Sequence, residues 1–362
     1  MGQTLMRCIF YLTAIFLFAI PSYSMADMHA YVSVAGENKI SIFEVDSESG
    51  QLRHQADIET DGSPGSLAVD SKSRFLFAAL RSTGALSSFK IDSTTGKLSH
   101  VSTSVVEADP AYVRTDATGK YLLSAYYRAG KVAVHAIDSD GKLSGEAIQW
   151  TETDKKAHAV VIDGSNRFVY IPHTGPNAIF QFQFNPQNGT LSPLSPAKTE
   201  TPENTGPRHG WFHPNGRFVY FDNEQGSSVT AFRLNADSGT IDPLQTITTL
   251  PADFKERNSC ADLELTPSGK YLYTSNRGHD SIACFAVDEK TGELALVEKA
   301  PTEKTPRSFN IDPSGMFLYA AGQGSGRVAA YRISSQSGKL TRFETYTVGK
   351  QPWWVLVVQT AE

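Results

Sequence analysis

Apolar positions along this chain fall in short runs that alternate with polar ones or fill with β-branched and aromatic residues, as in Phe218-Val-Tyr-Phe and Tyr271-Leu-Tyr-Thr. A period of two predicts strands, and no window carries a convincing helical period. The runs are punctuated by seven turns of one kind, each a glycine followed two residues later by Leu or Ile: Gly50, Gly96, Gly141, Gly189, Gly239, Gly292 and Gly338. Successive spacings are 46, 45, 48, 50, 53 and 46 residues. Asp or Asn precedes most of them, as in Asp92-Ser-Thr-Thr-Gly96, which is the composition of a tight hairpin turn.

A second marker, a polar turn closed by a base and an aromatic, recurs at Phe75, Tyr121, Phe168, Phe218 and Tyr271, and at Phe317 with Met316 in place of the base. Two hairpin markers per unit of about 48 residues give four strands per unit, the signature of a β-propeller. Six copies of one marker against seven of the other locate the ring closure. Tyr31-Val-Ser-Val, Ile40-Ser-Ile-Phe and Leu52 to Ile58 form three strands with no inner strand before them, and Gln351-Pro-Trp-Trp-Val-Leu-Val-Val358 forms an inner strand with nothing after it. Pairing the two predicts an all-β, seven-bladed β-propeller over residues 27–362, with four antiparallel strands per blade and a closing blade shared by both chain ends.

The first 26 residues read differently. Arg7, the apolar run Ile9 to Ile20, and small residues at Ser24-Met25-Ala26 predict a cleaved signal peptide with Asp27 as the new N-terminus. The apolar run is shorter than the roughly 20 residues of a membrane span. A periplasmic or secreted protein is therefore expected, a monomer with no membrane attachment after cleavage. Taking residues 1–26 from the 362 leaves 336, and because Arg7 is the only charge lost, 32 basic side chains face 38 acidic ones. A net charge of −6 argues against nucleic-acid binding. Cys260 and Cys284 fall on the first and third strands of one blade, about 10 Å apart by strand spacing. That is too far for a disulfide, so buried thiols are expected.

Register locates the channel mouth. Aligning the units on a recurrent proline gives one ring, Gly65, Ala111, His158, Arg208, Ala261, Arg307 and Trp353, five of which directly follow Pro64, Pro110, Pro207, Pro306 and Pro352. The position after it reads Ser66, Tyr112, Ala159, His209, Asp262, Ser308 and Trp354. Six residues beyond the aromatic marker lie Arg81, Tyr127, Thr174, Glu224, Arg277, Gln323 and, in the closing blade, Gly36. Polar, charged and aromatic side chains converging on a concavity are the content of a small-molecule site. An excess of Arg predicts an anionic ligand, because a guanidinium fork pairs with carboxylate or phosphate. No cofactor is expected, since a Ca²⁺ site needs a surplus of oxygen ligands over arginines. Gly322-Gln-Gly324-Ser-Gly326 echoes a dinucleotide loop, but a strand follows it, and Asn188-Gly-Thr190 fits a glycosylation sequon inside a repeat turn.

Gly206-Pro-Arg-His209, Phe212-His-Pro214, Asp222-Asn-Glu224, Cys260-Ala-Asp262, Ser275-Asn-Arg277, Pro306-Arg-Ser-Phe-Asn310, Ala321-Gly-Gln323 and Gln351-Pro-Trp-Trp354 resemble the β-propeller lactonase family. That family includes the propeller type of 6-phosphogluconolactonase and a fungal carboxymuconate cycloisomerase. The resemblance implies a carboxylic-ester hydrolase acting on a sugar or sugar-acid lactone. A muconate-type cycloisomerase, or a non-catalytic propeller binding a small anion or a protein partner, are the other readings. By motif, the catalytic residues of the cycloisomerase branch fall on His158, Arg208, Glu224 and Arg277. The expected substrate-binding set is Asp262, Arg307, Gln323, Trp353 and His209, although His209 and His213 also have an ordinary reading as packing or turn residues. Arg208 and Arg277 are expected to hold the anionic group and the oxyanion, with Glu224 or His158 activating water. The bland alternative is a buried charge network in which the two arginines pair with Glu224 and Asp262.

Overall fold

The computed structural model describes Gly2 and residues 27–360. The leader, its cleavage site and Cys8 lie outside the described residues. Seven four-stranded antiparallel sheets are arranged as seven blades. The innermost strands of blades one to six begin at Pro64, Tyr112, Val161, Pro207, Ser259 and Pro306. Blade seven is built from both ends of the chain, Pro352–Gln359 lying beside Met28–Val34 with Met28 opposite Gln359 and Val34 opposite Pro352.

Burial explains the strand compositions. The second strand of a blade is enclosed on both faces, so Phe75–Leu80 and Phe218–Asn223 are buried throughout. The outermost strands, such as Leu98–Val105, are mostly solvated. The core lies between blades rather than inside any one of them: Ala30, Val32 and Val355 of blade seven pack with Phe317, Tyr319 and Val328 of blade six.

The two sequence markers are the two halves of one inter-blade joint. All seven hairpin glycines have positive φ, and the marker aromatic of each blade covers the hairpin glycine of the next. Two residues further along, Tyr273 and Tyr319 donate their hydroxyls to the carbonyls of Gly338 and Gly50, each at 2.7 Å. The missing seventh marker is His29, whose ring covers Gly96, with Tyr31 donating to the Gly96 carbonyl at 2.8 Å. Counting six on from His29 gives Ala35. The Ala35 N–H donates to Gln351 O just as Glu224 N–H donates to Gly206 O and Gln323 N–H to Thr305 O. The closing-blade position in the second ring is therefore Ala35, one residue before Gly36. Cys260 and Cys284 are free and buried, as expected, and burial pushes both thiols up to about 12.

Candidate active site

A repeated backbone irregularity aims the functional side chains. Where the innermost strand begins, pairing slips between Pro207 and Gly210, between Cys260 and Leu263, and between Pro306 and Ser308. Residues left out of the ladder by such bulges are free to present their side chains elsewhere, here to the channel. Their N–H groups still need acceptors. His209 N–H donates to Asp222 Oδ1 at 2.7 Å and Asp262 N–H donates to Ser275 Oγ at 3.1 Å. The same irregularity thus places Arg208 and His209 side by side at the mouth. His158 reaches it without a proline, held by its N–H donating to Pro172 O at 3.0 Å.

The structure brings His158, Arg208, Glu224 and Arg277 together. Arg208 is 2% exposed, and its Nε lies 3.4 Å from Glu224 Oε2, while Arg277 Nη2 lies 3.2 Å from Glu224 Oε1. Arg277 also donates to Cys260 O at 2.9 Å. Of the network set against the functional reading, the pairing with Glu224 is present. Asp262, in contrast, pairs with His209 Nδ1 at 2.7 Å. The Arg307 guanidinium sits 3.9 Å from the centre of a Trp353 ring, and that of Arg81 sits 5.4 Å from it. Arg81 pairs with Asp109 at 3.2 Å, and the exposed Arg128 lies 3.9 Å from the same carboxylate, so two carboxylates, Glu224 and Asp109, answer five guanidiniums. The Nε atoms of Arg208, Arg277 and Arg307 all lack a hydrogen-bond partner. Gln323 is half-buried, and its N–H donates to Thr305 O as that of Glu224 does to Gly206 O.

These charges set the protonation states. Burial, then the positive charges of Arg208, His209, Arg307 and Arg277, hold His158 well below the ordinary histidine range. Its ring is therefore neutral, and its buried Nδ1 has no partner. Burial raises the Glu224 carboxyl, but Arg208 and Arg277 outweigh it and the net shift is downward. A cavity of about 720 Å³ adjoins this mouth between Ala35, Arg81, Asp109 and Trp353.

Another cavity, of about 550 Å³, opens at the opposite end of the channel, beyond a floor of Tyr112, His209 and Trp354. Its rim aspartates are committed to structure: Asp70 and Asp116 accept the N–H groups of Phe75 and Tyr121 at the start of the second strands. Arg114, Asp262 and Glu264 also line that cavity, whereas the arginine end gathers Arg208, Arg277, Arg307 and Arg81.

The chain matches the family described as "Lactonase, 7-bladed beta-propeller" over residues 23–109 and 102–357. It belongs to the seven-bladed β-propeller lactonase family. A 6-phosphogluconolactonase of Pectobacterium carotovorum is 34% identical over 330 residues, 91% of this chain and 85% of that protein. Another, of Cronobacter sakazakii, is 33% identical over 327 residues, 90% and 84% of the two chains. Among solved structures, a periplasmic gluconolactonase of Pseudomonas aeruginosa superposes with a TM-score of 0.86 at 26% identity, over 93% of this chain and 99% of that one.

Within this lactonase fold, sequence reasoning missed Asp222. Four residues beyond the aromatic marker the other blades carry Ala79, Ala125, Pro172, Ser275, Ala321 and Ser33. A carboxylate in that series was a detectable outlier. Burial above all pushes the Asp222 carboxyl up to about 7, and its Oδ2 has no partner. A raised carboxyl favours the fold when protonated and penalises it increasingly as pH rises from the unfolded value near 3.8 through 7. Asp222→Asn keeps the acceptor for the His209 N–H and removes that penalty. Its melting temperature relative to wild type is expected to climb between pH 5 and pH 8, by the equivalent of about 2–4 kcal/mol. A difference independent of pH would show that Asp222 titrates normally.

Proposed function

We propose that the arginine-lined mouth hydrolyses the ester of a small anionic sugar or sugar-acid lactone, with His158 as the base and Glu224 as the counter-charge that aims Arg208 and Arg277. Lactone hydrolysis, a carboxylic-ester hydrolase reaction, follows from membership of the family. The observation that supports the assignment of roles is a neutral His158 beside guanidiniums that outnumber the carboxylates facing them. Both oxygens of Glu224 face arginines, which weakens it as a base.

The reaction then runs as a general-base attack. His158 takes a proton from water on its accessible ring nitrogen, Nε2, as the water oxygen bonds to the lactone carbonyl carbon. The carbonyl oxygen becomes an oxyanion facing Arg208 and Arg277. An imidazolium beside arginines is unfavourable alone, but it forms as the oxyanion forms, so the two charges offset each other. Collapse breaks the bond from carbon to the ring oxygen, and His158 returns the proton to that leaving oxygen. The surplus of guanidiniums, with Arg307 and Trp353 along one wall, favours a substrate that carries an anionic group. Residues 1–26 are proposed to export the chain, so that the reaction takes place outside the cytoplasm.

The test is proton release from a panel of aldonolactones, with and without phosphate, and of muconolactone. Turnover of a sugar or sugar-acid lactone is expected. Inactivity across the panel with retained binding of small anions would instead make this propeller a binding module.

A further inference from the structure

We propose that His209 and Asp262 form a positioning pair that fixes the Arg208 guanidinium from below, with His209 held as the Nδ1–H tautomer and touching no substrate. This rests on the role given to Arg208 above.

The argument is one of donors and acceptors. Arg208 Nη1 lies 3.1 Å from His209 Nε2. A guanidinium has only donors, so Nε2 must accept and cannot carry a proton. The ring proton then sits on Nδ1, which donates to Asp262 Oδ1 at 2.7 Å. Both ring nitrogens are thereby engaged, and none is left for a ligand. Asp262 is anchored in turn, its Oδ1 accepting Leu263 N–H at 3.0 Å and its Oδ2 accepting Phe309 N–H at 3.1 Å. A chain of bonds therefore runs from the backbone of blade six, through the carboxylate of blade five, to the imidazole and guanidinium of blade four.

The groups around the ring oppose a proton on Nε2. His209 packs against Tyr112, Trp354 and the ring of His158, with centroids 5.3, 5.7 and 5.2 Å away. Burial and the charges of Arg208 and Arg307 disfavour the imidazolium, while Asp262 favours it; burial wins and the group is held down at about 4. Asp222, the remaining ionisable neighbour, bonds to the His209 N–H and not to its ring. Free histidine favours the other neutral tautomer, so the Nδ1–H form would mark the contact. The arrangement is built for geometry: a buried cation held at a fixed angle by partners that are themselves locked.

The experiment combines a spectroscopic and a kinetic reading. In ¹⁵N NMR of the wild-type ring near pH 7, with His209 assigned by its loss in His209→Gln, the Nδ1 proton and an unprotonated Nε2 are expected. An Nε2–H tautomer or an imidazolium would overturn the proposal whether or not any lactone is hydrolysed. In turnover, His209→Ala is expected to lower kcat by about 10–100-fold with KM within about 3-fold, as for a donor mis-aimed only where charge develops. Glutamine offers both an acceptor for Arg208 and a donor for Asp262, so His209→Gln is expected to recover at least about 10-fold of that loss. A Gln variant as slow as the Ala variant would also overturn it. Should His209→Ala fail to fold, the Gln variant and the wild-type spectrum still decide. A wild type inactive on every lactone with the Nδ1–H spectrum intact would sink the reading of Arg208 in catalysis and leave the pair standing.

Discussion

His158→Ala is expected to lower kcat for lactone hydrolysis by about 10²–10⁴-fold, the range general-base catalysis supplies. The cost to the fold should be confined to the lost packing on Tyr127 and His209, because the ring's buried Nδ1 satisfies no hydrogen bond. Glu224→Gln should look different. Glu224 lies between Arg208 and Arg277, so its removal leaves two guanidiniums facing each other without a counter-charge. Breaking a buried pair by deleting one partner costs about 3–5 kcal/mol, and the partial exposure of Glu224, 23%, reduces that. The expected signature is a lower melting temperature that formate or phosphate restores, together with reduced turnover. Stopped-flow or indicator assays alongside thermal melts separate the two variants. Wild-type turnover in His158→Ala would end its role as base, and a Glu224→Gln melting curve indifferent to added anions would end the counter-charge role of Glu224.

The second large effect concerns the joint between blades three and four, which carry His158 and Arg208. Gly239 has φ +75°, and a Cβ there would stand 2.3 Å from the Phe168 ring. Gly239→Ala must pay about 1–2 kcal/mol for a left-handed backbone. Overpacking adds about 1–3 kcal/mol. A loss of about 2–5 kcal/mol is therefore expected from urea unfolding. Gly164 is the control: it meets nothing within 4 Å, and its φ is not in the left-handed region, so Gly164→Ala should fall within about 0.5 kcal/mol of wild type. Equal effects of the two substitutions would refute the joint.

That joint also explains why the fold was readable from the sequence. The glycine needs its φ and the aromatic needs a surface without a side chain, so both residue types recur at every blade and the period is visible. His29 escaped because an imidazole covers Gly96 as a phenyl ring would, yet does not read as an aromatic marker. The slip from Ala35 to Gly36 followed directly, since the count had no marker to start from. Two regular features exposed the four central residues: the repeat register around Pro207 for Arg208 and His158, and the count of six beyond Phe218 and Tyr271 for Glu224 and Arg277. What stayed hidden depends on contacts between blades. Nothing local says that His209 would find Asp262, 53 residues away, or that Asp262 would leave Arg208 to Glu224. Asp222 was within reach of the same register and needed only the comparison made two residues earlier.

Trp353 stands on the strand Pro352–Gln359, which follows the six other blades in chain order yet completes the sheet begun by Met28–Val34. Until that segment has left the ribosome and docked beside Met28–Val34, the ring stays open and one wall of the mouth is missing. Ring closure thus has a built-in order: a partly synthesised chain, however many blades it has formed, still lacks the Trp353 wall of the proposed mouth.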